Sequence, residues 1–243
     1  MMTTAPASIL VVDDEPDTCA NLSDILGDQG YRVDVAYDGP SALELVKNNA
    51  YDLALLDLKM PGMDGLELYR RIKKLRSGTV AIIVTAYASS ETAKAVFDAG
   101  AWQILSKPVE FSRLLALVDE ALGQPLVMIV DDDPDLCDTL WDVLREQGFR
   151  VCIAHTIAEA EERLIAKSYQ VLLIDMKLPT GSGRDVLHLV QQSDPAARTV
   201  LITGHRVEME QSVEQALAEG ADAACYKPFD VEHLLRTVKQ LAE

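Results

Sequence analysis

The sequence predicts an α/β protein built twice: two tandem domains, each an open parallel sheet with helices on both faces. Three observations predict it. Short apolar runs bounded by turn residues alternate with helix-spaced apolar residues, five times in each half. The pattern then repeats: Val171-Leu172-Leu173-Ile174-Asp175-Met176-Lys177-Leu178-Pro179 restates Leu53-Ala54-Leu55-Leu56-Asp57-Leu58-Lys59-Met60-Pro61 at an offset of 118 (175 minus 57). Finally, acids, a Thr and a Lys recur where the apolar runs end, at matching intervals in both halves. The 118 offset carries Asp13-Asp14 onto Asp131-Asp132, Pro16 onto Pro134, Cys19 onto Cys137 and Thr85 onto Thr203. Lys107-Pro108 returns as Lys227-Pro228 at 120, so about two residues enter after the Thr. A repeat this long is a duplicated domain, not a solenoid unit of roughly 20–50 residues.

The elements follow in order. Residues 1–7 are small and polar and are expected to be a loose tail. Residues 9–12 read as a buried strand that surfaces at Asp13-Asp14. Pro16 suits the first turn of a helix, Cys19, Leu22, Ile25 and Leu26 share one face of it, and Gly30 closes it. Residues 31–36 are a second strand, and Ala42, Leu43 and Val46 space a second helix. The run into Asp57 is the third strand; after a loop with Pro61, Gly62 and Gly65, a helix carries Leu66, Leu68, Tyr69 and Ile72. Residues 80–84 form a fourth strand ending at Thr85, and Ala93, Val96 and Phe97 mark a helix stopped near Gly100. Residues 102–105 are a fifth strand ending at Ser106-Lys107-Pro108, and Leu114, Leu115, Val118 and Leu122 mark the last helix.

Five such units suit the flavodoxin-like strand order 2-1-3-4-5. The domains are expected at residues 8–122 and 126–243, with 123–125 as the linker. Gly123-Gln124-Pro125 is shorter than the ~4–6 residues of a typical connection, so a constrained joint is expected, with a swivelling one as the alternative.

Composition narrows function. The chain has 243 residues, 49% of them apolar, enough for two cores. Net charge is -17, from 22 basic and 39 acidic residues. That argues against nucleic acid and against an anionic membrane surface, both of which need clustered Lys and Arg. Cys19, Cys137, Cys152 and Cys225 form no C-x-x-C pair and fit no zinc spacing. They read as core residues of a chain with reduced thiols. No run has transmembrane length and the start has no signal pattern, so a cytoplasmic protein is expected.

In an open parallel α/β sheet, ligands bind at the carboxyl edge of the strands. Asp13, Asp14, Asp57, Thr85 and Lys107 meet there in the first copy, and Asp131, Asp132, Asp175, Thr203 and Lys227 in the second. Three clustered carboxylates repel and raise one another's pKa values, which a divalent cation relieves. All-oxygen ligation without His or thiolate suits Mg²⁺ or Mn²⁺ over zinc. Lys and Thr can then face a second anion. The set describes a phosphoryl site with an Asp as acceptor.

Both copies resemble the receiver domains of two-component response regulators. The resemblance rests on Val11-Val12-Asp13-Asp14-Glu15-Pro16, Leu56-Asp57-Leu58-Lys59-Met60-Pro61 with Gly65, Thr85-Ala86, Ala99-Gly100-Ala101 and Ser106-Lys107-Pro108. In the second copy it rests on Ile129-Val130-Asp131-Asp132-Asp133-Pro134, Ile174-Asp175-Met176-Lys177-Leu178-Pro179 with Gly183, Thr203-Gly204, Gly220-Ala221 and Tyr226-Lys227-Pro228. It implies that Asp57 and Asp175 accept phosphate from a histidine kinase or a histidine phosphotransfer protein. It implies that Asp14 and Asp132 bind Mg²⁺ directly, Asp13 and Asp131 through water, with the backbone carbonyls of Lys59 and Lys177 completing the shell. Lys107 and Lys227 would pair with the phosphoryl oxygens, and Thr85 and Thr203 would carry the switch.

Two departures stand out. The family often has Tyr or Phe three residues before the Lys; Ile104 and Ala224 stand there. Trp102 and Tyr226 lie nearby but out of register, as strand-packing residues. Lys59 and Lys177, two residues past each acceptor, either tune phosphate lifetime or are simply solvated. His205, two after Thr203, has a similar standing, and nothing in the first copy matches it, where Tyr87 stands; His155, His188 and His233 read as surface or packing residues.

Three rival readings compete with this one. An Asp-nucleophile phosphatase needs a second Asp two residues after the nucleophile as general acid, where Lys59 and Lys177 stand. Flavodoxin-like domains with acids as mere caps would make Thr and Lys a coincidence twice over. A pseudo-receiver has no support, since both copies keep all five groups. No separate enzymatic domain is visible, so the chain is expected not to be an enzyme beyond its own phosphorylation and dephosphorylation. Output would pass through a partner, a homodimer, or a larger hybrid kinase or regulator of which this is the receiver portion.

Overall fold

The computed structural model describes residues 6–86, 89–204, 206–228 and 230–243, with the backbone alone at 206–210. Tyr87, His205 and most of the expected N-terminal tail lie outside the described residues. The chain divides into two units between Gln124 and Pro125.

In the first unit, β1 (Ser8–Val12), α1 (Pro16–Asp28), β2 (Arg32–Ala36), α2 (Gly39–Asn48) and β3 (Leu53–Asp57) lead to α3 (Gly65–Leu75). Then come β4 (Val80–Thr85), α4 (Ser90–Asp98), β5 (Gln103–Ser106) and α5 (Phe111–Gly123). The second unit runs β6 (Leu126–Val130), α6 (Pro134–Glu146), β7 (Arg150–Ala154), α7 (Ile157–Ala166) and β8 (Val171–Asp175). It continues with β9 (Lys177–Leu178), β10 (Gly181–Ser182), α8 (Gly183–Ser193), β11 (Arg198–Thr203), α9 (Arg206–Ala218), β12 (Ala223–Tyr226) and α10 (Val231–Ala242).

Each unit is a five-stranded parallel sheet, in the orders β2-β1-β3-β4-β5 and β7-β6-β8-β11-β12. The second is the first repeated, so the expected 2-1-3-4-5 order holds in both. The central strands β1, β3, β6 and β8 are buried along their whole length. Such strands are covered on both faces, which is why they read as unbroken apolar runs.

Alternation within those strands builds two cores per unit. Ile9, Val11, Leu53 and Leu55 pack under α1 and α5 with Cys19, Leu22, Leu26, Leu114 and Val118. Leu10, Val12, Ala54 and Leu56 pack on the other face with Val46, Leu68, Tyr69, Ile72 and Val96. The second unit repeats both layers. Truncating a residue such as Leu55 to Ala costs about 2–5 kcal/mol, the lost transfer energy plus the cavity.

Local chemistry starts the helices. Pro16 and Pro134 occupy first turns, Asp38 accepts from Ser41 N at 2.7 Å, and Asp64 accepts from Glu67 N at 2.7 Å. Gly123 falls inside the last turn of α5 rather than beyond it, leaving Gln124 and Pro125 before β6.

One element was not expected. After Asp175 the chain forms an antiparallel hairpin, pairing Leu178 with Gly181 and Lys177 with Ser182. The equivalent loop after Asp57 has equal length but turns through Gly62 at φ +80. Thr180 stands in that place in the second copy, and its Cβ disfavours positive φ. The turn moves to Gly181, where a Cβ would meet Ile157 Cδ1 at 2.5 Å and Asp185 Oδ2 at 2.9 Å. Among the described residues, no helix is long and apolar enough to cross a membrane.

Candidate functional site

β1 and β3 are neighbours, so their carboxyl ends bring Asp13, Asp14 and Asp57 together. β4 pairs Val84 with Asp57, which puts Thr85 one residue further along the same edge. β5 delivers Lys107 beside Thr85: Lys107 N donates to the Thr85 carbonyl at 2.8 Å. The second unit matches, with Ile202 opposite Asp175 and Lys227 N donating to the Thr203 carbonyl at 2.7 Å. All five expected residues of each copy therefore stand at one edge.

Lysine bridges the buried acids. Lys107 Nζ lies 2.8 Å from Asp13 Oδ2 and 3.0 Å from Asp57 Oδ1. Lys227 Nζ lies 2.8 Å from both Asp131 Oδ2 and Asp175 Oδ2. Asp13, Asp57, Asp131, Asp175, Thr85 and Thr203 are all buried. Each carboxylate also takes a backbone amide: Glu15 N on Asp13 at 3.0 Å, Lys59 N on Asp57 at 3.1 Å. Asp133 N on Asp131 and Lys177 N on Asp175 repeat this, both at 3.0 Å. The Lys59 and Lys177 ammonium groups are not drawn in; both residues are exposed.

Burial pushes the Asp57 carboxyl above its ordinary value, with Asp13 adding to the rise; Lys107 and the Lys59 amide oppose it. Burial likewise raises Asp131, against Lys227 and the Asp133 amide. Burial works to lower both lysines, but the hydrogen bonds to Asp13 and Asp57, and to Asp131 and Asp175, outweigh it, and each ammonium is held above its usual range.

Ligand atoms of Asp13, Asp14 and Asp57 lie within 4.8 Å of one another, and so do those of Asp131, Asp132 and Asp175. Two of each three are buried while Asp14 and Asp132 are exposed. A single Lys leaves each cluster with excess negative charge. Three converging carboxylates with no nitrogen or sulfur among them fit a small hard divalent ion. In the second unit the edge opens into a cleft of about 470 Å³, lined by Asp131, Asp132, Asp175, Thr203 and Lys227 among others.

Sequence reasoning missed supports beneath the edge. A Cβ on Gly65 would clash with the Asp57 carbonyl, and one on Gly183 would lie 2.5 Å from the Asp175 carbonyl. The third helix of each unit therefore starts directly against the acceptor strand. The signal was a Gly eight residues past each acid (65 minus 57, 183 minus 175). The Cys19 and Cys137 thiols donate to the Asp13 and Asp131 carbonyls, both at 3.3 Å. His155 Nδ1 stands 3.0 Å from the Asp131 carbonyl, where the first copy has exposed Tyr37. The off-register aromatics are packing residues, Trp102 and Tyr226 each lying against a core. Ile104 and Ala224 do the same.

A family model described as the response regulator receiver domain matches residues 9–119 and 127–239. A response regulator receiver protein of Anaeromyxobacter sp. (strain Fw109-5) is 32% identical over 232 residues, 96% of this chain and 94% of that protein. The transcriptional regulatory protein ZraR of Escherichia coli (strain K12) is 30% identical over 94% of this chain, which spans 50% of ZraR. Among solved structures, a CheY-like receiver domain protein from Methanospirillum hungatei JF-1 is 37% identical with a TM-score of 0.48, covering 49% of this chain and 94% of that one.

Proposed function

The chain belongs to the response regulator receiver family, in two copies, and from that premise we propose that it relays signals by accepting phosphoryl groups from phosphohistidine onto Asp57 and Asp175. One observation carries the reading: in each copy a half-buried lysine bridges two buried carboxylates beside a third acid.

An Asp57 carboxylate oxygen attacks phosphorus, the phosphorus–nitrogen bond to the donor histidine breaks, and the electron pair leaves with the imidazole. Asp57 loses its charge to the new acyl phosphate. Lys107 then exchanges a carboxylate partner for phosphoryl oxygens, and the Thr85 hydroxyl gains a new acceptor. The Lys59 amide, 3.1 Å from Asp57, orients the carboxylate throughout. Asp13, Asp14 and Asp57 in one unit, and separately Asp131, Asp132 and Asp175 in the other, would each hold Mg²⁺ or Mn²⁺, which neutralises the crowded oxygens when bound. Phosphorylation adds about -1.5 to -2 charge and three acceptors. Contacts that Lys and Thr make only in that state bias the segment after the fourth strand.

The chain is not an enzyme towards other substrates in this reading. Lys59 and Lys177 leave no acid to protonate a departing alkoxide, so phosphomonoesters are poor donors. Output passes through a protein partner or self-association. The net charge of -17 argues against direct contact with nucleic acid. Similarity to ZraR, whose name is that of a transcriptional regulator, gives that argument no support, and the half of ZraR outside the match favours a second reading, the receiver part of a longer regulator.

Intact-mass measurement after acetyl phosphate and Mg²⁺ tests the proposal. Two phosphates per chain are expected, one in Asp57→Asn or Asp175→Asn, none in the double variant; no uptake by the parent overturns it. Faster uptake at Asp57 is expected, since the second copy departs further from the pattern at Asp133, Gly204 and Ala224. Equal rates at the two sites refute that ranking. Many turnovers of a phosphomonoester would instead mark a phosphatase.

A further inference from the structure

Away from its acidic edge, the second domain ties α8 to the far end of α9. Arg184 on α8 donates through Nε to Glu219 Oε2 at 3.0 Å and through Nη2 to Glu219 Oε1, a two-pronged pair. Its Nη1 donates to Gln215 Oε1 at 3.1 Å. His188 Nε2 lies 3.4 Å from Glu219 Oε2, and Gln191 Nε2 donates to the Glu219 carbonyl at 2.7 Å. Arg184 holds the Glu219 carboxyl below its ordinary value, with His188 assisting. The first domain has Leu66, Arg70, Lys73, Ala95 and Ala99 at the corresponding positions (184, 188 and 191 minus 118; 215 and 219 minus 120). That set offers no carboxylate for a guanidinium to grip.

The placement matters because α9 hangs between two fixtures. Its near end follows Thr203 and Gly204; just past its far end stands Glu219, whose amide closes the last turn on Gln215 O at 2.8 Å. A forked Arg–carboxylate pair holds one geometry more strictly than a single contact does. Any rearrangement that moves α9 against α8 must break or re-aim that fork. The first domain joins the matching helices by a different bond, the Tyr69 hydroxyl donating to the Gly100 carbonyl at 2.9 Å.

We propose that Arg184 is a positioning residue for phosphate acceptance at Asp175: through Glu219 it restrains α9, and with it the segment that Thr203 must carry as the phosphoryl group arrives. This rests on the phosphate-acceptance reading above. It slows the second receiver for a reason remote from its acids.

The test uses the full chain with Asp57→Asn, so that added mass reports Asp175 alone. Arg184→Ala is expected to speed uptake from acetyl phosphate about two- to fivefold, the range of one exposed ion pair. It is also expected to raise amide hydrogen exchange over residues 211–219 with Tm nearly unchanged. The swap Arg184→Glu with Glu219→Arg is expected to restore both. Unchanged exchange in Arg184→Ala overturns the restraint itself, with or without phosphate. Faster exchange with unchanged uptake leaves the cluster purely structural and overturns the positioning role. No uptake by the Asp57→Asn parent is a failure of the phosphate reading instead, and the positioning role falls with it.

Discussion

Lys107 Nζ stands 3.0 Å from Asp57 Oδ1, and the same ammonium reaches Asp13 at 2.8 Å, so one cation serves two buried acids fifty residues or more away in sequence. Removing it leaves both carboxylates uncompensated. Lys107→Ala is expected to destabilise the metal-free chain at neutral pH by about 1–3 kcal/mol, less than a fully buried pair because the lysine is partly solvated. Asp57→Asn, which removes a charge that burial disfavours, is expected to be neutral or stabilising under the same conditions. Urea denaturation in EDTA checks both; a destabilised Asp57→Asn contradicts the electrostatic account.

Divalent metal and pH act through the same acids. Asp57 and Asp131 titrate above the ordinary 3.8 in the folded state. A carboxyl raised on folding costs stability once ionised. That penalty is absent below the unfolded value and grows as pH rises through the folded one. Metal offsets it only where the acids are ionised. At ten times the dissociation constant, Mg²⁺ is expected to stabilise a domain by about 1.4 kcal/mol at pH 7, roughly 5 °C in Tm. The gain is expected to vanish near pH 3.5. Lys107 and Lys227, raised above 10.5, lose their contribution only as pH climbs through their folded values. Thermal melts with and without Mg²⁺ at several pH values test the window.

Gly65 and Gly183 are expected to be irreplaceable for reasons of space. Ala at either forces the third helix off the acceptor strand, at a cost of about 1–3 kcal/mol or more, and slows phosphate uptake at that site. Gly27, in α1 with nothing within 4 Å of a built Cβ, is the control. Gly27→Ala is expected to stabilise by about 0.5–1 kcal/mol. Equal effects at Gly27 and Gly65 in chemical denaturation contradict the steric argument.

The four thiols are expected to be inert in the folded chain. All are buried. Burial pushes Cys19 up to about 11 and Cys137 up to about 12, and raises Cys225. The thiolate is the reactive form. Alkylation at pH 8 is expected only at the rate of unfolding; labelling of Cys19 or Cys137 faster than global opening, read by mass spectrometry, contradicts this.

The architecture was legible because strands covered on both faces must be apolar throughout, and a lone Asp ending such a run marks the edge. The duplication then separated signal from accident: Asp, Thr and Lys recur at fixed intervals. The hairpin at residues 177–182 was not legible, because it depends on a backbone dihedral that Gly62 adopts and Thr180 resists. Nor was the Arg184–Glu219 fork, formed by residues 35 apart on two helix surfaces. The Cys19 thiol read as a small core residue, which it is; its bond to the Asp13 carbonyl has no signature in spacing alone.

Lys59 and Lys177 hold their neighbouring acids with main-chain nitrogen, at 3.1 and 3.0 Å, while their side chains stay in water. The acceptor is thus aimed by an atom that nineteen of the twenty genetically encoded residues supply. Sequence drift at these two places can vary what a visiting donor meets without loosening the aim, and proline alone is barred.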